Sequence, residues 1–287
     1  MAKSDKGIPM TLQMPYLPDP ERFSRMTTEE MRRVFLITDL FIPGRAQYRI
    51  THTDRAVIGA AVPIDTPLTL EGCRELASEY FAERREIGVF NIGGEGRIAA
   101  DREDVGVGNR EGFYIGRGTR DISFRSSDPA RPAQFYFVSY PAHSRHPSVK
   151  IGKEQIASAA MGTQTLANRR TIHKLIHSAA FPTSQLSMGY TVLEDGSVWN
   201  TMPAHTHARR TEIYLYFDLP ADGLVLHSMG EPHETRHLIV RNQQVVVSPS
   251  WSVHFGAGTT RYSFVWSMGG ENQEFADMDA VPMDKLL

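Results

Sequence analysis

Three histidines and a glutamate in the last third of the chain have the types and spacing to hold a metal ion. The chain reads Asn200-Thr201-Met202-Pro203-Ala204-His205-Thr206-His207, with Glu212 close behind and His254 downstream, after Pro249-Ser250-Trp251-Ser252-Val253. On a strand, residues i and i+2 share a face roughly 6.5–7 Å apart at Cα, so two imidazoles at 205 and 207 can converge on one ion. Glu212 has the opposite parity and cannot share that face of one straight strand. A bend at Ala208–Thr211 must intervene. Glu212 then opens a new strand, with Tyr214 and Tyr216 on its side and Ile213, Leu215 and Phe217 on the other. His254 follows an expected strand at Gln244–Val247 and a proline-containing turn, and an antiparallel barrel can lay it beside the other three. Three neutral imidazoles and a carboxylate suit Zn²⁺, Fe²⁺, Mn²⁺, Ni²⁺ or Co²⁺. Such a set can leave room for water or substrate, as a catalytic site requires. A lone His-x-His is more often a solvated or core pair; the added glutamate, the later histidine and the β-context weigh against that reading.

The elements that must position these groups read as mainly β. The 287 residues suffice for one large all-β domain or two small ones. From about 86 onward, short runs of Val, Ile, Phe and Tyr alternate with Gly, Asp, Asn and Pro, the texture of a sandwich or barrel. A second strand-rich stretch runs from about 184 to 268. The two stretches look alike: Arg84-Arg85-Glu86-Ile87-Gly88-Val89-Phe90 parallels Arg209-Arg210-Thr211-Glu212-Ile213-Tyr214-Leu215, and Phe113–Phe124 parallels Val253–Phe264. This predicts a duplicated barrel, in which Glu86 stands opposite Glu212 and the positions of the first copy that match the ligands carry no histidine. Gly93-Gly94-Glu95-Gly96 reads as a hairpin turn, since no helix pattern follows that a phosphate loop would need. The expected divisions are an N-terminal arm and helix over 1–50, a half without a metal site over 51–150, a connecting segment over 151–183 and a metal-bearing half over 184–287. Thr27-Thr28-Glu29-Glu30 caps an expected helix over Met31–Leu40, Val57–Ile64 reads as a buried strand, and a second helix is expected over 69–85.

Composition narrows the classes. The formal net charge of −2 suggests no nucleic-acid or anionic-membrane partner. No apolar run approaches the roughly 20 residues of a membrane span, and Met1–Pro20 lacks the apolar core of a signal peptide. Cys73 is the only cysteine, so an intramolecular disulfide and a thiolate-rich zinc site are excluded, and a cytoplasmic protein is the simplest reading.

Other polar groups could serve a small acidic ligand. Arg169, Arg170 and Arg236 are candidate anchors, because a guanidinium pairs a carboxylate bidentately; the bland alternative for each is a surface ion pair. His173 and His177, four apart on a possible helix, make a weaker second metal pair, with no carboxylate at helical spacing. His227, His233 and His237 read as surface or core histidines.

Several strings resemble the 5-keto-4-deoxyuronate isomerase (4-deoxy-L-threo-5-hexosulose-uronate ketol-isomerase) family: Phe81–Val89, Asn168–Ile172, Gln185–Gly189, Trp199–Pro203, Glu234–His237, Ser248–His254 and Gly270–Gln273. The similarity runs from about residue 30 to the end. It implies two tandem cupin-like (jelly-roll) β-barrels with a few short helices, a zinc site in the C-terminal half on His205, His207, Glu212 and His254, and a homo-hexamer. The implied reaction converts 5-dehydro-4-deoxy-D-glucuronate to 3-deoxy-D-glycero-2,5-hexodiulosonate, a step in bacterial use of pectin and related polyuronates. Ala208 departs from the family pattern, where a glutamate is expected, but it is not a ligand position. Moving a proton between carbons needs a base within reach, and Glu231, Glu271, His237 or a metal-bound hydroxide are the candidates; a hydride route stays open. The competing readings are a 5-deoxy-glucuronate isomerase of inositol catabolism, an Fe²⁺ cupin dioxygenase, and a non-catalytic metal-containing sugar-binding cupin.

Overall fold

The computed structural model of the chain describes residues 13–287. Met1–Leu12, part of the expected arm and of the stretch read for a signal peptide, lie outside the described residues.

Strand alternation places four sheets face to face. The N-terminal half has a six-stranded sheet, in the order Val149–Ile151, Gly112–Ile115, Arg85–Asn91, Phe135–Pro141, Val57–Ala61 and Ala46–Ile50. It faces a four-stranded sheet of Leu68–Thr69, Ile122–Ser126, Gly96–Ala100 and Glu103–Val107. The C-terminal half repeats the plan. Its seven-stranded sheet runs Leu36–Ile37, Gln244–Ser248, Arg210–Phe217, Ser263–Gly270, Ser187–Leu193, Arg170–Ile176 and Ala157–Met161. The opposing sheet holds Trp199–Asn200, Val253–Gly258, Val225–Glu231 and Glu234–Val240. Every pairing within these sheets is antiparallel.

Three large apolar cores follow among the described residues. One fills each barrel, and the third lies between the two large sheets, where Phe90, Tyr136 and Val138 meet Ile213, Leu215 and Val265. The strand Arg210–Phe217 is therefore covered on both faces and buried throughout. Tyr214 and Tyr216 face the barrel interior, while Ile213, Leu215 and Phe217 face the other half, as the alternation predicts. Gly88 permits the close approach: a Cβ there would lie 2.8 Å from Ile176 Cδ1 and from Leu186 Cδ2.

The duplication is visible in the matching neighbour order of the large sheets, but the equivalences expected from the sequence need correction. Arg85–Asn91 and Arg210–Phe217 are equivalent central strands. Glu86 nevertheless does not match Glu212: it faces the other half of the molecule, whereas Glu212 faces into its own barrel. A one-residue slip turns every side chain of a strand to the opposite face. Likewise Gly112–Ile115 belongs to a large sheet and Val253–Gly258 to a small one, so those two runs are not counterparts. The strands flanking Gly93–Gly96 do not pair with each other. The segment is a corner between two sheets, held by Asn91, whose Oδ1 accepts from Gly93 N at 3.0 Å.

The N-terminal segment is shared between halves. Thr28–Phe35 is helical behind a capping box in which Thr27 Oγ1 accepts from Glu30 N and Glu30 accepts from Thr27 N. The helix ends before the expected Leu40 because Leu36–Ile37 pairs with Val245–Val246 as the edge strand of the C-terminal sheet. The helix expected over 69–85 is absent. Leu68–Thr69 pairs with Ser123–Phe124, and Ala77 (φ 48°) closes a single 3₁₀ turn over Arg74–Leu76. His173 lies on a strand, stacked on Tyr190 with its Nδ1 2.7 Å from Ser158 Oγ, which removes the helical spacing with His177.

Candidate metal centre

Four elements bring the candidate ligands together. His205 stands on the short strand His205–Thr206, which pairs with Asp279–Ala280 from the chain's C-terminal segment. His207 follows it. The turn at Ala208–Arg209 reverses the parity, as expected, and places Glu212 facing inward on Arg210–Phe217. His254 projects from Val253–Gly258 of the opposing sheet. All four side chains are buried, and one ligand atom from each lies within 4.8 Å of the others. Glu212 Oε2 is 3.0 Å from His207 Nε2 and 2.9 Å from His254 Nε2, and the His205 and His254 Nε2 atoms are 3.2 Å apart. Ligands about 2.0–2.2 Å from a tetrahedral ion would be roughly 3.3–3.6 Å apart, so a small divalent cation fits this cluster with little movement.

The groups behind the imidazoles also suit a metal. His207 Nδ1 is 2.7 Å from the Asp277 carbonyl, which also accepts from Arg210 Nη2 at 2.7 Å. A carbonyl oxygen only accepts, so His207 Nδ1 donates to Asp277, and in the neutral ring Nε2 keeps its lone pair for an ion. His254 Nδ1 lies 3.4 Å from Ser248 Oγ. Burial, reinforced by His254, lowers the His205 pKa to about 3, so this imidazole is neutral, as a ligand must be. Burial opposes charge on Glu212, but His254 and His207 together hold it well below the ordinary carboxylate range. Burial likewise opposes charge on His207, and Glu212 more than offsets it, giving a raised pKa.

The cluster borders a cavity of about 340 Å³, in the range of small-ligand sites. Its walls include Arg170, Thr191, Asn200, Thr201, Tyr214 and Trp266, and the C-terminal segment covers it with Phe275 and Met278. Arg170 is the candidate anchor that faces this space. It is 6% exposed, donates from Nη1 to the Asn168 carbonyl at 2.9 Å, and has no carboxylate partner among the described residues. Arg169 points away and pairs with Glu194 at 2.9 Å. Arg236 lies outside the cavity too, with Nη1 donating to the Met26 carbonyl at 2.5 Å and so holding the turn between the N-terminal helices.

The expected proton carriers are corrected in the same way. Glu271 is on the surface, paired with Arg209. Glu231 is 3.9 Å from His233 on an outer hairpin, and His237 is exposed on the next strand. None of the three lines the cavity, because strand direction and alternation send them outward. Tyr214 is the residue missed; its signal was its parity with Glu212.

His227 sits deeper in the same barrel. It is fully buried, with Nδ1 2.7 Å from the Tyr216 hydroxyl and Nε2 without a partner among the described residues. Burial, then the nearby His254, lowers its pKa from 6.5 to about 3. The folded value lies below the unfolded one, so acid favours the unfolded chain. The stability from this neutral ring is complete above the unfolded pKa and is lost as pH falls from there toward about 3. Each pH unit in that window removes about 1.4 kcal/mol from this group. Urea titrations of metal-saturated protein from about pH 6.5 to 5 should show wild type losing stability more steeply than His227→Gln; equal slopes would count against this assignment.

The sequence pattern of the KduI/IolB family matches residues 39–283. The 4-deoxy-L-threo-5-hexosulose-uronate ketol-isomerase of Caldicellulosiruptor bescii is 47% identical over 275 residues, covering 96% of this chain and 100% of that protein. The enzyme of the same name from Halalkalibacterium halodurans is 48% identical over 271 residues, 94% of this chain and 98% of that one. In structure, the chain resembles an IolB-like protein of Salmonella typhimurium (TM-score 0.71, 14% identity, covering 86% of this chain and 96% of that one). It also resembles the oxalate decarboxylase of Lactobacillus farciminis (TM-score 0.56, 12% identity, covering 87% and 90%), so the fold is that of the cupins. With most of its length matched by the family pattern and near-full-length relatives at almost half identity, the chain belongs to the KduI/IolB family.

Proposed function

We propose that this chain is the ketol-isomerase that its relatives' names describe, converting 5-dehydro-4-deoxy-D-glucuronate to 3-deoxy-D-glycero-2,5-hexodiulosonate in polyuronate breakdown. His205, His207, Glu212 and His254 hold one Zn²⁺, and Arg170 holds the substrate carboxylate. The observation that carries the reading is the pairing, in one cavity, of a buried three-histidine, one-glutamate cluster with a buried arginine that has no carboxylate partner among the described residues. That pairing matches a substrate with a hydroxy-aldehyde at one end and a carboxylate at the other. Zinc suits the nitrogen-rich donor set, and another divalent transition metal could take its place. A bound divalent ion supplies positive charge where negative charge develops on the reacting oxygens. The protein's own groups orient the sugar acid: Arg170 fixes its carboxylate, while the apolar wall of Trp266, Phe275 and Met278 excludes water. The family resemblance supports a homo-hexamer, and the single, half-buried Cys73 is consistent with work in the cytoplasm.

The test is isomerisation of the unsaturated-uronate breakdown product, with metal analysis and with chelator. Turnover should disappear on chelation and return with Zn²⁺. Arg170→Ala should raise KM by roughly 10–100-fold, the loss of a charge-assisted pair worth about 1.5–3 kcal/mol, with a smaller change in kcat. Unchanged KM would remove Arg170 from its role, and sugar binding without isomerisation would favour a non-catalytic cupin. Because the IolB-like fold is close, 5-deoxy-glucuronate is the comparison substrate; faster turnover of that sugar would reassign the activity.

A further inference from the structure

The cavity beside the metal cluster holds few groups able to carry a proton. Of the residues that line it, Arg170 remains charged, and His205, His207 and Glu212 belong to the ligand set. The Thr191 and Thr201 hydroxyls are too weakly acidic to exchange protons readily. Tyr214 is what remains. Among the described residues, no carboxylate or imidazole outside the ligand set faces this space, so no such side chain is placed to strip a proton from carbon.

Tyr214 is also held as a reacting group should be. It stands two residues from Glu212 on the same inward face of Arg210–Phe217. Its ring packs at 5.4 Å from the His254 ring and 5.5 Å from Phe264, and only 3% of the residue is exposed. Tyr214 lines the cavity together with Glu212 and Thr201.

We propose that Tyr214 relays the hydroxyl proton between the two neighbouring oxygens of the sugar while the carbon-bound hydrogen migrates directly between the two carbons. This rests on the isomerase reading above. The hydrogen leaves the hydroxyl-bearing carbon with its electron pair and bonds to the aldehyde carbon. The aldehyde π pair takes the Tyr214 proton and becomes an O–H bond. The pair of the former O–H bond closes the new carbonyl, and its proton returns to Tyr214. The phenol ends as it began, and no oxidant, reductant or carbon base is consumed.

Two measurements on metal-loaded protein test this. Tyr214→Phe keeps the ring and loses the hydroxyl. Its metal content should match wild type and its KM should stay within about three-fold, while kcat falls roughly 10²–10³-fold, the usual worth of a positioned proton carrier. Wild-type turnover in D₂O, analysed by NMR at early conversion, should leave the new hydroxymethyl carbon free of carbon-bound deuterium. Deuterium there, or a Tyr214→Phe kcat within about three-fold of wild type, overturns the proposal. If Tyr214→Phe loses its metal, the decision passes to wild type: a single-turnover rate unchanged in D₂O overturns the relay, and a slowed rate without carbon deuteration supports it. A wild-type protein that does not isomerise the sugar acid removes the isomerase reading itself, which separates that failure from this one.

Discussion

His205→Ala is expected to abolish turnover, by about 10³-fold or more, because the variant cannot keep its metal. The loss should be that large because the cluster has no spare ligand. Among the described residues, the only group of three or more His, Cys, Asp or Glu placed to hold an ion is this one. His205 Nε2 is 3.2 Å from His254 Nε2, so its removal opens one corner of the set and leaves a buried carboxylate facing two imidazoles. Metal analysis beside the activity assay separates a lost site from a misfolded protein, and circular dichroism should show the β-structure retained. A variant that keeps both its zinc and its turnover would end the assignment of this centre.

Glu86→Ala should give the largest loss of stability, about 3–5 kcal/mol, with the metal site intact. Glu86 is completely buried between the halves. Its Oε1 accepts from Gln185 N at 2.8 Å and Leu186 N at 2.9 Å, and its Oε2 accepts from Ser184 N and the Tyr114 hydroxyl, each at 2.8 Å. One carboxylate thus satisfies three backbone donors of the segment that leads into the second barrel. Alanine leaves those donors buried without partners, each costing about 1–3 kcal/mol if water cannot reach it. The melting temperature should fall by roughly 10 °C, since a domain of this size loses about 2–4 °C per kcal/mol. Glu86→Gln, which keeps an acceptor oxygen, should lose less. Thermal unfolding of metal-saturated protein decides it, and a shift below about 3 °C would mean that water or a backbone shift replaces the carboxylate.

The correction at Glu86 shows where reading along the chain stops working. The repeated Arg-Arg and Glu elements correctly marked two equivalent strands, but the residue-by-residue match put Glu86 opposite Glu212, and the two face opposite ways. Strand texture is local: alternating apolar and polar residues bounded by turn formers announce a strand wherever they occur. The face a given residue takes is not local. It depends on pairing partners far away, such as Met268 and Ser248 for Glu212 or Tyr140 for Glu86. The same reason explains the misplaced proton carriers. Glu231, Glu271 and His237 all come from the correct barrel, but pairing and corner turns direct them outward.

What the sequence determined by itself was chemical type and local period: the His-x-His pair, the parity break before Glu212, the strand-rich repeat and the strings shared with the family. Those depend on residues within a few positions of one another. What only the tertiary structure decided was convergence: that His254 crosses from the opposing sheet, that Arg170 rather than Arg169 or Arg236 faces the cavity, that Tyr214 joins it, and that the C-terminal segment closes over it. Each depends on sheet register and on which surfaces stack, and these are settled by the burial of whole apolar faces rather than by any neighbouring residue.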